Sequence, residues 1–201
     1  MFRKIALFGL VCFSLLAKAE EGYEMVTPAQ PVQAADKVEV IEFFWYGCPH
    51  CYSLEPSMVA WLKNKPANVN FIRQPAVFSD LWGKHAKAFF TAEALGVNEK
   101  LHADFFDAIQ NKKQKLVSED DLAKFFAEHG VKDEDFRGAY NSFLVDAKMR
   151  QAETMAARYG ITGVPALVVN GKYRVTATTA KSQDNMLNIA DQLIQKESQA
   201  K

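Results

Sequence analysis

Cysteine is scarce: three among 201 residues, at positions 12, 48 and 51. Histidine is scarce as well, at 50, 85, 102 and 129, and no two of these stand three to five residues apart. A structural zinc site asks for four Cys or His ligands, usually as two close pairs, so metal binding is not expected. Net charge is missing too, 24 basic residues against 24 acidic ones. There is therefore no basic field to hold a nucleic acid. No apolar run approaches the roughly 20 residues that span a bilayer, and neither internal repeats nor low-complexity tracts occur. What remains is a chain 49% hydrophobic and 12% aromatic, a globular composition with ample material for a core.

The longest apolar run, residues 5–17, follows Arg3 and Lys4 and ends in Ala17-Lys18-Ala19. A basic start, a short apolar stretch and an A-x-A site form the layout of a secretory signal peptide, residues 1–19, cleaved after Ala19. Cleavage removes Cys12 and three basic residues. It leaves a slightly acidic, soluble, exported chain whose cysteines are Cys48 and Cys51, in a compartment where disulfides persist.

Residues 20–37 are polar, with a short edge strand expected at Tyr23–Val26. Residues 38–45, VEVIEFFW, read as a buried strand that Glu42 interrupts. From Pro49 to about Asn64, Leu54, Met58, Trp61 and Leu62 recur at helical spacing, and Pro56 inside this helix predicts a kink. Residues 69–74 form a second strand, completing a βαβ unit. A helical block follows. One helix carries Leu81, His85 and Phe89 and stops at Gly96; a second carries Leu101 and Phe105. A third is capped by Ser118 and stops at Gly130. A fourth carries Phe136, Tyr140, Phe143 and Leu144, and its pattern runs on to Tyr159. Their aromatic stripes are read as core. Asn170-Gly171 then joins two strand-like runs as a hairpin, and an amphipathic helix covers about 182–196. Lys112, Lys113 and Lys115 read as a solvated helix end.

The cysteine pair is read as redox-active. A bridge between Cys48 and Cys51 closes so small a loop that it would stabilise little. Pro49 suits the first turn of a helix, which puts the Cys48 sulfur at the positive helix end, where free amides and the dipole favour a thiolate. His50 adds a second positive or hydrogen-bonding group. The thiolate is the attacking species. Cys51, one turn in, is the more buried, resolving partner. A stabilised Cys48 thiolate weakens the disulfide, so Pro-His between the cysteines favours donating the bridge.

Cys48-Pro49-His50-Cys51-Tyr52 resembles the active site of the DsbA family of periplasmic thiol:disulfide oxidoreductases. The resemblance extends to VIEFF ahead of the pair, to the helical block, and to Gly163-Val164-Pro165-Ala166 followed by VNGKY. It implies an α/β thioredoxin fold with an inserted α-helical domain: residues 20–77 and 151–201 form the thioredoxin-like part and 78–150 the insertion. It implies Cys48 as attacking thiolate, Cys51 as buried partner, and Val164-Pro165 as a cis-proline loop facing them, with the Val164 backbone free to pair with an extended substrate. Glu42 matches a family acid beneath the site and is read as a proton relay for Cys51. Glu55 matches another, although solvated helix surface explains it equally. The resemblance further implies no cofactor beyond the redox-active disulfide. Its implied partners are reduced, unfolded exported proteins and a membrane quinone reductase of the DsbB type, and the implied state is a periplasmic monomer. Gly47 departs from bulkier relatives at that position, and Pro56 is not universal in the family. The short lead-in leaves no room for the separate N-terminal dimerisation domain of disulfide isomerases.

Overall fold

The computed structural model describes residues 22–200; the expected signal segment and Cys12 lie outside the described residues. Five strands form one sheet: β1 (Glu24–Met25), β2 (Val38–Phe44), β3 (Val69–Pro75), β4 (Ala166–Val169) and β5 (Tyr173–Thr176), in the order β1-β5-β4-β2-β3. β2 and β3 run parallel through the crossover helix α1 (Pro49–Asn64); the remaining pairs are antiparallel. β2 lies inside the sheet between β4 and β3 and is buried along its whole length, Glu39 and Glu42 included. The β4–β5 turn needs positive φ at both central residues, and Asn170 (50°) and Gly171 (67°) supply it. Gly171 also lies against the Gln30 carbonyl so closely that a Cβ there would collide with it.

Between β3 and β4 come α2 (Asp80–Ala94), α3 (Asn98–Gln110), α4 (Glu119–Glu128), α5 (Asp133–Tyr140) and α6 (Phe143–Arg158); α7 (Asn185–Gln199) closes the chain. Three apolar clusters follow from strand alternation. Val38 and Val40 face Leu54 and Met58 of α1 and the apolar side of α7. Ile41 and Phe43 face Met155, Ala156 and Tyr159 near the end of α6. Phe44 leads into an aromatic core with Phe89, Phe105, Phe106, Phe126 and Phe136 from the helical layer.

Two expectations need correction. The fourth helix of the block is two, because Ser142 accepts a hydrogen bond from the Val145 amide (3.2 Å) and starts α6 afresh. That restart turns Phe143 and Leu144 outward, 80% and 56% exposed, so they are not core; Leu81 is also exposed. α1 runs from Pro49 to Asn64 with Pro56 inside it. Among the described residues, no helix is long and apolar enough to cross a membrane.

Candidate active site

The polypeptide leaves β2 at Phe44, turns through Trp45-Tyr46-Gly47, and enters α1 at Cys48. The turn is held from several sides. The Cys48 amide donates to the Trp45 carbonyl (2.9 Å), and Gln110, at the end of α3, donates to the Tyr46 carbonyl (2.7 Å). The Trp45 indole stacks on Trp82 at 4.2 Å and 9°, and its Nε1–H donates to His85 Nδ1 (3.1 Å). It covers Gly47, where any Cβ would fall inside van der Waals contact of the ring. The departure at Gly47 is thus matched by a tryptophan that fills the space.

Cys48 is the N-cap of α1, extended in backbone (φ −87°, ψ 114°), and its Sγ accepts the Cys51 amide at 3.3 Å. Pro49 has no amide to satisfy there. Both thiols are free; Cys51 is fully buried, while Cys48 retains 7% of its surface. The Cys48 thiol is lowered to about 6. A hydrogen bond from the Cys51 thiol is the largest influence. It outweighs burial, and the backbone amides of Cys51 and His50 and then the His50 charge add to it. Burial drives Cys51 the other way, well above an ordinary thiol, and the neighbouring Cys48 adds to the rise. His50 is exposed, and its charge contributes least among these influences.

Val164-Pro165 is a cis peptide and Pro165 is buried. The Val164 carbonyl lies 3.5 Å from Cys48 Sγ. Beside them opens a cleft of about 430 Å³ lined by His50, Gly163, Val164, Thr176, Thr178 and Gln183. Gln183 donates to the His50 carbonyl (2.6 Å) and to Ser53 (2.9 Å), tying the last loop to the first turn of α1.

Known proteins resemble this chain in sequence and fold. A family model described as "DSBA-like thioredoxin domain" matches residues 83–191. The thiol:disulfide interchange protein DsbA of Pseudomonas syringae pv. tomato is 42% identical over 198 residues, covering 96% of this chain and 92% of the relative. The chain belongs to the DsbA family. The DsbA of Azotobacter vinelandii is 46% identical over 170 residues, 85% of this chain and 79% of that one. The crystal structure of Pseudomonas aeruginosa DsbA superposes with a TM-score of 0.85 at 42% identity, covering 90% of this chain and 94% of that one. The Xylella fastidiosa DsbA structure gives 0.82 at 34%, covering 89% and 96%. The architecture is that of a DsbA-like thioredoxin domain, mixed α/β, with seven helices and a five-stranded sheet among the described residues.

Against this DsbA frame, Cys48, Cys51, Pro49, His50, Val164 and Pro165 converge on one end of α1, while Glu42 lies in the sheet below. Glu42 is 2% exposed and neither faces water nor pairs with a lysine. Its partner is Arg73, its register neighbour on β3, whose Nε donates to Glu42 Oε2 at 3.1 Å. Burial holds the Glu42 carboxyl up at about 7; Arg73 opposes that and the Glu55 charge reinforces it. Glu55 is buried and is not solvated helix surface: Arg73 Nη2 reaches its Oε1 at 2.6 Å. Sequence reasoning missed Arg73, His85, His102, Gln110 and Gln183. Arg73 left a trace as the lone charged residue of its strand. The others had none, because their roles come from tertiary neighbours 18 or more residues away in the chain.

Proposed function

We propose that this chain, in its oxidised form, donates the Cys48–Cys51 disulfide to reduced exported proteins in the periplasm. As a member of its family it is a thiol:disulfide oxidoreductase. A substrate thiolate attacks Cys48 Sγ; the Cys48–Cys51 bond breaks, a mixed disulfide forms, and the electron pair leaves on Cys51. Buried and poor at holding charge, the Cys51 sulfur takes a proton, for which the carboxyl of Glu42, raised to about 7, is the source in our reading. A second substrate thiolate then attacks the substrate sulfur of the mixed disulfide and expels Cys48 as a thiolate. The substrate is oxidised by two electrons and the enzyme reduced by two. No further cofactor is invoked. Reoxidation falls to a membrane quinone reductase of the DsbB type, and the working form is a monomer free of nucleic acid.

One observation carries the reading: the two sulfurs of a single C-x-x-C differ sharply in charge preference, with the outer one placed where the helix start stabilises it. Each pKa unit is worth about 1.36 kcal/mol, and for a two-electron couple about 30 mV is 1.4 kcal/mol. A Cys48 thiolate favoured at neutral pH therefore pushes the couple toward the oxidising end. Equilibration against a glutathione series tests this. The expected result is a couple more oxidising than glutathione, with the dithiol the favoured form at equal thiol and disulfide. A couple more reducing than glutathione would overturn the donor role and indicate a reductase. A Cys48→Ser variant should lose dithiol-peptide oxidation completely; full retention would mean that Cys48 is not the reacting sulfur, and a wild type inactive in the same assay would mean a binding module on the same fold.

A further inference from the structure

Glu55 Oε2 and His102 Nε2 are both buried without a hydrogen-bond partner, and they face one another at 3.5 Å. The other ring nitrogen, Nδ1, lies 2.9 Å from the Tyr46 hydroxyl, which is itself buried. A buried hydroxyl proton needs an acceptor, and Nδ1 is the partner the Tyr46 hydroxyl has. The tyrosine therefore donates to Nδ1, and the ring proton sits on Nε2, aimed at Glu55. The opposite tautomer would set a lone pair against a carboxylate. Phe44, Phe89 and Phe106 wall the ring in.

We propose that His102 is a positioning residue for thiol–disulfide exchange. By directing its Nε2–H at Glu55 it keeps that carboxylate ionised, divides the Arg73 guanidinium between two carboxylates, and so leaves Glu42 able to hold a proton near neutral pH. The inference rests on the reading of Glu42 as proton source for Cys51. Tyr46, after β2, touches the ring itself; the charged groups that line a cleft of about 700 Å³ together with His102 are Glu55 and Lys63 of α1, Arg73 of β3, Glu93 of α2 and Glu99 of α3, with Lys37 and Lys65 from the loops. Burial lowers the His102 imidazole, so it stays neutral. Burial would raise Glu55, but the His102 Nε2–H aimed at it from 3.5 Å and the Arg73 guanidinium outweigh burial and hold that carboxyl below its ordinary value. Without the donor, Glu55 takes a proton more readily. Its charge then ceases to raise Glu42, Arg73 serves Glu42 alone, and the Glu42 midpoint falls.

The test is the pH profile of dithiol-peptide oxidation by the whole protein, corrected for peptide thiolate, together with the ¹³C titration of the Glu42 carboxyl. In the wild type the corrected rate should fall as pH rises through the Glu42 midpoint, near 7. His102→Phe should move that limb and the ¹³C midpoint down by at least about 0.5 unit, a roughly threefold rate loss on the limb. His102→Gln, which keeps an N–H donor, should recover at least half of the shift. An unmoved limb in folded His102→Phe, or a His102→Gln as displaced as His102→Phe, overturns the proposal. Should His102→Phe not fold, Tyr46→Phe decides: releasing Nδ1 should shift the limb the same way, and an unchanged profile overturns the proposal. Glu42→Gln separates the two readings. A limb abolished there but unmoved in His102→Phe refutes the role of His102 alone, whereas a limb surviving in Glu42→Gln refutes the Glu42 reading and this inference with it.

Discussion

Replacing Cys51 by alanine removes the largest influence holding the Cys48 thiol at about 6. The helix start remains, and with it the backbone amide that Cys51 donates at 3.3 Å. A hydrogen bond to a charged group contributes about 1.5–3 kcal/mol, or roughly 1–2 pKa units. The Cys48 midpoint in Cys51→Ala should therefore rise to roughly 7–8, and the thiolate fraction at pH 6 should drop about 5- to 50-fold. Alkylation rates would understate this, since a more basic thiolate is also more nucleophilic. The better assay is the far-ultraviolet absorbance of the thiolate followed through a pH titration. Cys51→Ser supplies the control, because its hydroxyl can still donate and its midpoint should stay near the wild-type value. If Cys51→Ala titrates where the wild type does, the partner thiol contributes nothing and the helix amides alone stabilise the sulfur.

Because the folded Cys48 midpoint is depressed from 9.0 to about 6, it stabilises the reduced protein fully above about pH 9, and this is lost as pH falls through about 6. Reduced protein should thus melt above oxidised protein, with a gap that closes across that window in paired thermal scans. Glu42 has the opposite sign: its folded value, about 7, lies above the ordinary 4.5, so ionising it destabilises the fold as pH rises through 7. Glu42→Gln should be near neutral below pH 4.5 and gain up to about 3 kcal/mol at alkaline pH in urea titrations; a gain independent of pH would contradict the burial argument. Gly47→Ala should push Trp45 off Trp82 and away from His85 at a cost of about 1–3 kcal/mol, seen as a lower urea midpoint with altered tryptophan fluorescence. Unchanged fluorescence would show that the backbone, not the indole, gives way.

The order of elements was readable because each rests on a local signal. Pro49 and the Leu54–Met58 spacing mark α1, Ser118 opens α4 through its bond to the Asp121 amide, and Asn170-Gly171 names its own turn. The break between α5 and α6 was harder. The apolar pattern runs straight across Asn141-Ser142, and a serine cap inside a continuous stripe looks like one more surface residue. The chemistry of Cys48 was legible for the same local reason, since a helix start needs only its first turn. The polar cluster beneath it was not. Glu42 and Arg73 stand side by side because β2 and β3 pair in one register, and no property of either strand alone fixes that register. His102 reaches the cluster from a separate layer, and alone in the sequence it is one apolar-face histidine among several.

The burial contrast between the two cysteines also decides which sulfur meets the outside world. With Cys51 sealed beneath the first turn of α1 and a sliver of Cys48 showing, an incoming chain has one address to bond to. Every encounter then produces the same covalent adduct, with the leaving partner already in place to reverse it. In the proposed exchange, attack of that inner sulfur on Cys48 Sγ re-forms the Cys48–Cys51 bond and releases a stalled client as its thiolate, an escape route built into the pair.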